Sequence, residues 1–295
     1  MFSLSGDFYL CYTGRHSVRT RAVKRNIMPS NIEIIREGGV TSPKGYLASG
    51  TYAGLKTQDE NALDLGVLLS ETTATVAATF TTNSIVSPSV TLSRTRVADG
   101  FARGVVVNSG CANCCVGEQG YADAQEMTSL AASCVGVDPE EMLVCSTGLI
   151  GVELPMALIR KNIGNIQVDL DDGHSFAKSI MTTDTYSKEI AVTTVIDGRK
   201  ITLGGVAKGV GMIHPNMATM LCFITTDVEI DAGVFQKALN EAVDSSFNMI
   251  SVDGDQSTND TVLAFANGVS GISIDYDESN DDDCFAGYIR FQEAL

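Results

Sequence analysis

Histidine is scarce in this chain of 295 residues: His16, His174 and His214 are the only three. A nucleophile that depends on an imidazole base has to use one of them. His16 lies in a basic leader, His174 at a helix start and His214 in a glycine-rich loop five residues before Thr219. A polar loop contact is the simpler role for His214, so a histidine-based triad is poorly supported. Positive charge is also short, with 20 basic residues against 36 acidic ones and a net charge of −16. That balance disfavours binding to nucleic acid or anionic membranes, which needs clustered lysine and arginine. No apolar run reaches the roughly 20 residues needed to span a bilayer. Cysteine is present but badly spaced for a metal. Cys111-x-x-Cys114-Cys115 has no second ligand pair and no histidine near it in sequence, so a zinc site is disfavoured. Free thiols fit a reduced, cytosol-like compartment. Gly204-Gly205-x-x-Lys208-Gly209-x-Gly211 lacks the spacing of a phosphate loop.

What is there reads as a globular chain with a sizeable core: 44% of residues are apolar and 19% charged. Residues 1–30 differ from the rest, with Arg15, Arg19, Arg21, Lys24 and Arg25 against Asp7 and no apolar signal core. They read either as an Arg-rich organelle transit peptide or as sequence upstream of an internal start at Met28, the second being favoured. Strands are expected at 65–70, 75–80, 104–107 and 143–145. Residues 90–93 read as a strand or a helix start. Helices are expected at 120–135, 153–163, 173–181 and 232–246, the last capped by Asp231. Asp138-Pro139-Glu140-Glu141 reads as a further helix start. Asp197-Gly198 between alternating runs predicts a hairpin from 189 to 203. The mixture indicates an α/β (mixed α+β) fold with helices covering sheets.

The stretch around which the chain is organised runs from Lys208 to Asp227. A glycine-rich loop bends at Pro215, passes Asn216-Met217-Ala218-Thr219-Met220 and becomes the apolar run Leu221-Cys222-Phe223-Ile224. Thr219 sits where an irregular loop feeds a buried strand. On pattern alone it is an ordinary strand-start threonine. A threonine can nonetheless act without histidine once it is N-terminal, because its own α-amine, of pKa about 7.7–8.0, serves as base. That requires cutting the Ala218–Thr219 bond. The intermediate is an oxyanion and needs preorganised donors. A strand breaking at Ser146-Thr147-Gly148 could provide them, although an ordinary turn explains that tripeptide equally well.

The wording of several stretches resembles the ornithine acetyltransferase family, the bifunctional glutamate N-acetyltransferases of arginine biosynthesis. They are Gly38-Gly39-Val40-Thr41 with Lys44-Gly45, Phe80-Thr81-Thr82-Asn83, and Asn108-Ser109-Gly110-x-Ala112-Asn113 with Gly117-Glu118-Gln119-Gly120. Cys145-Ser146-Thr147-Gly148-Leu149-Ile150-Gly151, Met181-Thr182-Thr183-Asp184-Thr185, the Thr219 stretch, Ser251-Val252-Asp253-Gly254-Asp255 and Ser257-Thr258-Asn259-Asp260-Thr261 follow in family order.

The resemblance implies a helix-sheet-sheet-helix sandwich that cleaves itself between Ala218 and Thr219. Thr219 is then the nucleophile, Thr147 and Gly148 the oxyanion hole, and Thr182, Lys208 and Thr219 bind substrate. The implied reaction carries acetyl from N-acetylornithine to glutamate through an acetyl-threonine, with acetyl-CoA as a second donor in some members. No cofactor or metal is implied. The cleaved halves, 31–218 and 219–295 here, are expected to form an α2β2 heterotetramer in the cytoplasm, or in an organelle matrix if residues 1–27 are a transit peptide. An N-terminal-threonine amidohydrolase or aminopeptidase would share the chemistry and pass the acyl group to water. The family pattern continues past Leu295 to a substrate-binding glutamate, so a truncated chain, and with it an inactive fragment, is a further expectation.

Overall fold

The computed structural model describes residues 32–211, 220–276 and 282–295. In chain order the strands and helices are β1 (Glu33–Ile35), β2 (Tyr46–Thr51), β3 (Leu65–Phe80), α1 (Pro88–Arg96), β4 (Phe101–Cys111), α2 (Gln119–Val135), β5 (Met142–Leu149), α3 (Met156–Asn162) and α4 (Gly173–Ser179). There follow β6 (Lys188–Ile196), β7 (Arg199–Lys208), β8 (Leu221–Thr226), β9 (Glu229–Ile230), α5 (Ala232–Ser245), β10 (Thr261–Ala266), β11 (Ser273–Ile274) and α6 (Asp282–Ala294). Residues Asn31–Leu295 form one compact unit. The expected leader at 1–30 and the expected 218/219 junction lie outside the described residues.

Among the described residues nine strands form one ladder in the order β1-β6-β7-β8-β10-β3-β4-β5, with β2 also on β3. The hinge of this ladder is β3. Its first half pairs antiparallel with β2 and β4, its second half with β10, and its register against β4 shifts between Leu69 and Ala74. The two strands expected at 65–70 and 75–80 are therefore one. Residues 71–73 are exposed and look like a break in sequence. Their backbone stays extended because the Glu71 N–H donates to Gly45 O at 2.9 Å and threonine tolerates a strand.

Alternation of side chains along the strands sets the layers. One face of β7, β8 and β10 contributes Val206, Phe223, Leu263 and Phe265 to the same buried cluster that takes Val105 and Val107 from β4 and Leu143 and Cys145 from β5. The two halves of the folded ladder thus face each other. Phe176 of α4 closes the gap, edge-on to Phe223 at 5.3 Å between ring centroids. The opposite face of β4 and β5, with Val106 and Val144, packs on Met127 and Ala131 of α2 and Ile159 of α3. The opposite face of β8 and β10, with Cys222, Val262 and Ala264, packs on Phe235 and Leu239 of α5 and Phe291 of α6. Helix, sheet, sheet, helix is the resulting order, and the fold is mixed α/β. No helix of the described residues is long and apolar enough to cross a membrane.

Local chemistry explains most boundaries. Asp197 (φ 51°) and Gly198 (φ 73°) make the left-handed pair of a tight hairpin turn between β6 and β7. Asp231 caps α5 by accepting from the Gly233 and Val234 amides. Residues 90–93 are helical, because Ser87 caps Ser89 N and Pro88 opens α1. Two expectations fail. Asp138 does cap Glu140 N, but only one 3-10 turn, Pro139–Glu141, forms before β5 begins. Ser146-Thr147-Gly148 is no break either: β5 runs on to Leu149 because β4 supplies a parallel partner for each residue.

Candidate active site

Two parallel strands end side by side at the site. Ser109 of β4 lies opposite Thr147 of β5, and Gly110 opposite Gly148. Both glycines have left-handed φ, 121° and 132°. A Cβ on Gly148 would sit 2.3 Å from the Gly110 carbonyl carbon, and one on Gly110 would sit 2.6 Å from Leu55 O. Glycine alone permits this contact. It lets the 53–56 turn close over the strand ends. The buried Asp64 carboxylate ties that turn, accepting the amides of Ala53 (2.6 Å), Leu55 (2.6 Å) and Lys56 (3.1 Å). The Lys56 side chain then reaches Met181 O, to which its ammonium donates at 2.7 Å.

Thr182 follows directly. Its hydroxyl accepts from Lys208 Nζ at 3.4 Å. Lys208 is the last residue of β7 and is only 3% exposed, so it is no solvated loop lysine. Burial depresses its pKa to about 8; Asp184 and Asp260 pull upward against this, while Lys188 and Lys56 push it down further. Burial lowers the Lys56 ammonium too, against the opposing pull of Asp64 and Asp184. Asp184 binds Lys188 through a short ion pair and accepts the Gly209 amide at 2.9 Å. Burial would raise this carboxyl, but those bonds outweigh it and hold it below its ordinary value.

The third wall is residues 257–260, polar in sequence and buried in the fold. Asn259 Nδ2 donates to Ala112 O (2.6 Å) and Ser146 O (2.8 Å), bolting the loop to the ends of β4 and β5. Asp260 Oδ1 accepts the Met220 amide at 3.0 Å, fixing the start of β8. Its other oxygen is buried without a hydrogen-bond partner among the described residues. Burial pushes Asp260 up to about 7, against the Met220 amide, Ser257 and the Lys208 charge.

These walls enclose a cavity of about 660 Å³. Thr147, Gly148, Thr182 and Lys208, four of the expected site residues, all line it, with Lys56, Thr258 and Asn259. Ala218 and Thr219, the expected cleavage pair, and His214 lie outside the described residues; the flanking positions Gly211, which lines the cavity, and Met220 are described. Among the described residues no group of three or more His, Cys, Asp and Glu is placed to hold a metal ion. Cys111 and Cys114 are buried, and Cys115 is exposed.

The family described as ArgJ matches residues 47–295. The chain belongs to the ArgJ family. Curated relatives named arginine biosynthesis bifunctional protein ArgJ include that of Dehalococcoides mccartyi, 48% identical over 82% of this chain and 60% of that protein. That of Symbiobacterium thermophilum is 49% identical over 79% and 59%. This ArgJ chain thus spans about 60% of the length of those relatives. Among solved structures, Bacillus halodurans ArgJ superposes with a TM-score of 0.59 at 36% identity, covering 64% of this chain and 98% of that one. Mycobacterium tuberculosis ornithine acetyltransferase complexed with ornithine gives 0.56 at 34%, covering 62% and 98%. An L-aminopeptidase D-Ala-esterase/amidase from Ochrobactrum anthropi gives 0.50 at 14%, covering 87% and 83%, a likeness of fold alone.

Of the residues that build the site in this ArgJ chain, sequence reasoning passed over Lys56, Asp64 and Asp184 as individuals and gave Asn259 and Asp260 no role. Asp64 carried a signal, a lone carboxylate between Leu63 and Leu65 at the start of a strand. Such an acid has to be paired if it is buried. Lys56 carried none.

Proposed function

We propose that the protein is a glutamate N-acetyltransferase of arginine biosynthesis that carries acetyl from N-acetylornithine to glutamate on Thr219. The convergence of Thr147, Gly148, Thr182 and Lys208 on one cavity supports this reading. They come from three separate stretches, and Gly211, just before the segment that holds Thr219, also lines the cavity.

In the first step the Thr219 hydroxyl adds to the Ala218 carbonyl. The Ala218–Thr219 C–N bond breaks, an ester forms, and the hydroxyl proton passes to the new amine. Water then hydrolyses the ester, leaving the Ala218 carboxylate and a free N-terminal Thr219. In turnover the same hydroxyl, deprotonated by that amine, takes acetyl from the donor amide and releases ornithine. The glutamate amine attacks the acetyl ester next and restores the hydroxyl. Thr147 and Gly148 stabilise each oxyanion, and removing one such donor typically costs about 2.7–4 kcal/mol. Lys208 holds the substrate carboxylate. The scheme uses no prosthetic group; acetyl-CoA would enter as a substrate. The cleaved pieces assemble as an α2β2 heterotetramer in the cytoplasm.

Intact mass and N-terminal sequencing test the first step. Fragments 1–218 and 219–295, absent in Thr219→Ala, are expected. Transfer of labelled acetyl from N-acetylornithine to glutamate tests the second; release of free acetate without glutamate acetylation would point to a hydrolase. An uncut chain with no transfer overturns the reading.

A further inference from the structure

The Cys111-x-x-Cys114-Cys115 stretch has no part in the proposed reaction, yet it brings two free thiols together. Cys114 Sγ and Cys115 Sγ are 3.8 Å apart, with Cys114 buried and Cys115 exposed. The loop that carries them is pinned on each side. Ser87 Oγ donates to the carbonyls of Ala112 (3.1 Å) and Asn113 (2.8 Å), and the Gly151 amide donates to Cys114 O at 2.8 Å. Cys115 has a left-handed backbone, φ 58°, uncommon for a residue with a side chain. Thr258, whose hydroxyl donates to Asn259 Oδ1 at 2.6 Å, is a hydrogen-bond partner of the Cys114 side chain. The two thiols are therefore preorganised, and little ordering is left for a ligand to impose.

A direct disulfide fits this pair poorly. One trans peptide separates the residues, which puts their Cα atoms about 3.8 Å apart, closer than disulfides usually bridge. An atom placed between the sulfurs fits better. Two sulfurs at about 2.3 Å from one tetrahedral centre lie about 3.8 Å from each other, the separation found here. Zinc at such a centre wants four ligands, and among the described residues no group of three or more His, Cys, Asp and Glu is placed for a metal. A soft trivalent centre that carries a substituent of its own needs only the two sulfurs. The exposed Cys115 thiol meets it from solvent, and the Cys114 sulfur, in contact with Cys115, completes the pair.

We propose that Cys114 and Cys115 form a binding site for trivalent organoarsenicals, with one arsenic held by both sulfurs. The step changes no oxidation state. From an oxide R–As=O, two S–H bonds and the arsenic–oxygen bond break, two S–As bonds form, and both protons leave with the oxygen as water. The inference stands apart from the acetyltransferase reading, since neither thiol serves that reaction.

Titration of the purified chain with phenylarsine oxide, read by intact mass and peptide mapping, tests this. Wild type should hold one equivalent on the peptide with Cys114 and Cys115. That adduct should survive excess mercaptoethanol, a monothiol, and leave with the dithiol dimercaptopropanol. Cys115→Ser should weaken binding at least about 100-fold, the low end of what a second linked contact contributes. Its thermal midpoint should stay put, because Cys115 is exposed. Cys114→Ala should weaken binding as much; if loss of this buried thiol lowers the midpoint, Cys115→Ser decides alone. Cys134→Ser, which removes another exposed thiol, should bind like wild type. An adduct mapped to other cysteines, equal affinity in Cys115→Ser, or no monothiol-resistant adduct in wild type would overturn the proposal.

Discussion

The tripeptide Thr-Thr-Asp occurs twice, at 182–184 and at 225–227, and the two copies do different work. In the second copy every polar group is spent on the scaffold. Thr225 Oγ1 donates to Val40 O at 2.7 Å, Thr226 Oγ1 to Thr202 O at 2.9 Å, and Asp227 Oδ1 accepts the Thr202 amide at 3.1 Å. In the first copy the hydroxyl of Thr182 meets an ammonium, and Asp184 meets an ammonium and a loop amide. Burial pushes Asp227 above the ordinary carboxylate range, against its backbone hydrogen bonds, whereas Asp184 is held below it. The same three residues become a rivet where the surroundings are the backbone of the β-ladder, and partners of cations beside the cavity where they are lysines. Composition of a motif does not decide which; the charges brought to it do.

The sharpest test of that contrast removes the charge. Lys208→Met should lower glutamate affinity by about 100-fold, the upper range for a charge-assisted hydrogen bond, with no loss of thermal stability because a desolvated cation is gone. Calorimetry beside a thermal scan reads both. Next in size is pH. With Lys208 near 8, its charge is lost above that value, so glutamate affinity should fall about tenfold per unit beyond it. Lys208→Arg should flatten the profile up to pH 10.

Exchanging the hydroxyls comes third. Thr225→Val strands the Val40 carbonyl and should cost about 1–3 kcal/mol in urea unfolding, leaving ligand binding within twofold. Thr182→Val should do the reverse. If both variants moved stability alone, the distinction between the two copies would collapse. The smallest effect is the pH slope of stability. A lowered pKa, as at Asp184, gives stability that is present above the unfolded carboxylate value and lost as pH falls through the folded one. A raised pKa, as at Asp227, gives stability that is present in acid and lost as pH rises through the folded value. Relative to wild type, Asp184→Asn should therefore weaken as pH rises from 3 to 6, while Asp227→Asn should gain.

What could be read in advance follows the range of the cause. The Asp197-Gly198 hairpin, the Asp231 cap and the apolar β8 run are local, and they stand where the sequence places them. The continuity of β3 and of β5 was hidden, because Glu71-Thr72-Thr73 and Ser146-Thr147-Gly148 are held extended by partners far away in sequence. Within the site, Thr147, Gly148, Thr182 and Lys208 carried motif signals. Lys56 did not, and Asp260 stood inside a motif with no role of its own, since what both do depends on burial beside other charges, and one chain of letters does not show which charges will be neighbours.

The position of β8 carries one more consequence. It lies inside the ladder, bonded to β7 on one side and in parallel to β10 on the other. A cut just before it would leave β7 on one polypeptide and β8 with β10 on another, stitched through the centre of a common sheet. Before the cut, folding is a one-molecule event whose yield does not depend on dilution. Afterwards, recovery from denaturant needs two molecules to meet and slows as the solution is thinned. A mature protein of this kind would inherit its shape from a precursor rather than find it again, and a dilution series on refolding would tell a cut sample from an uncut one without any gel.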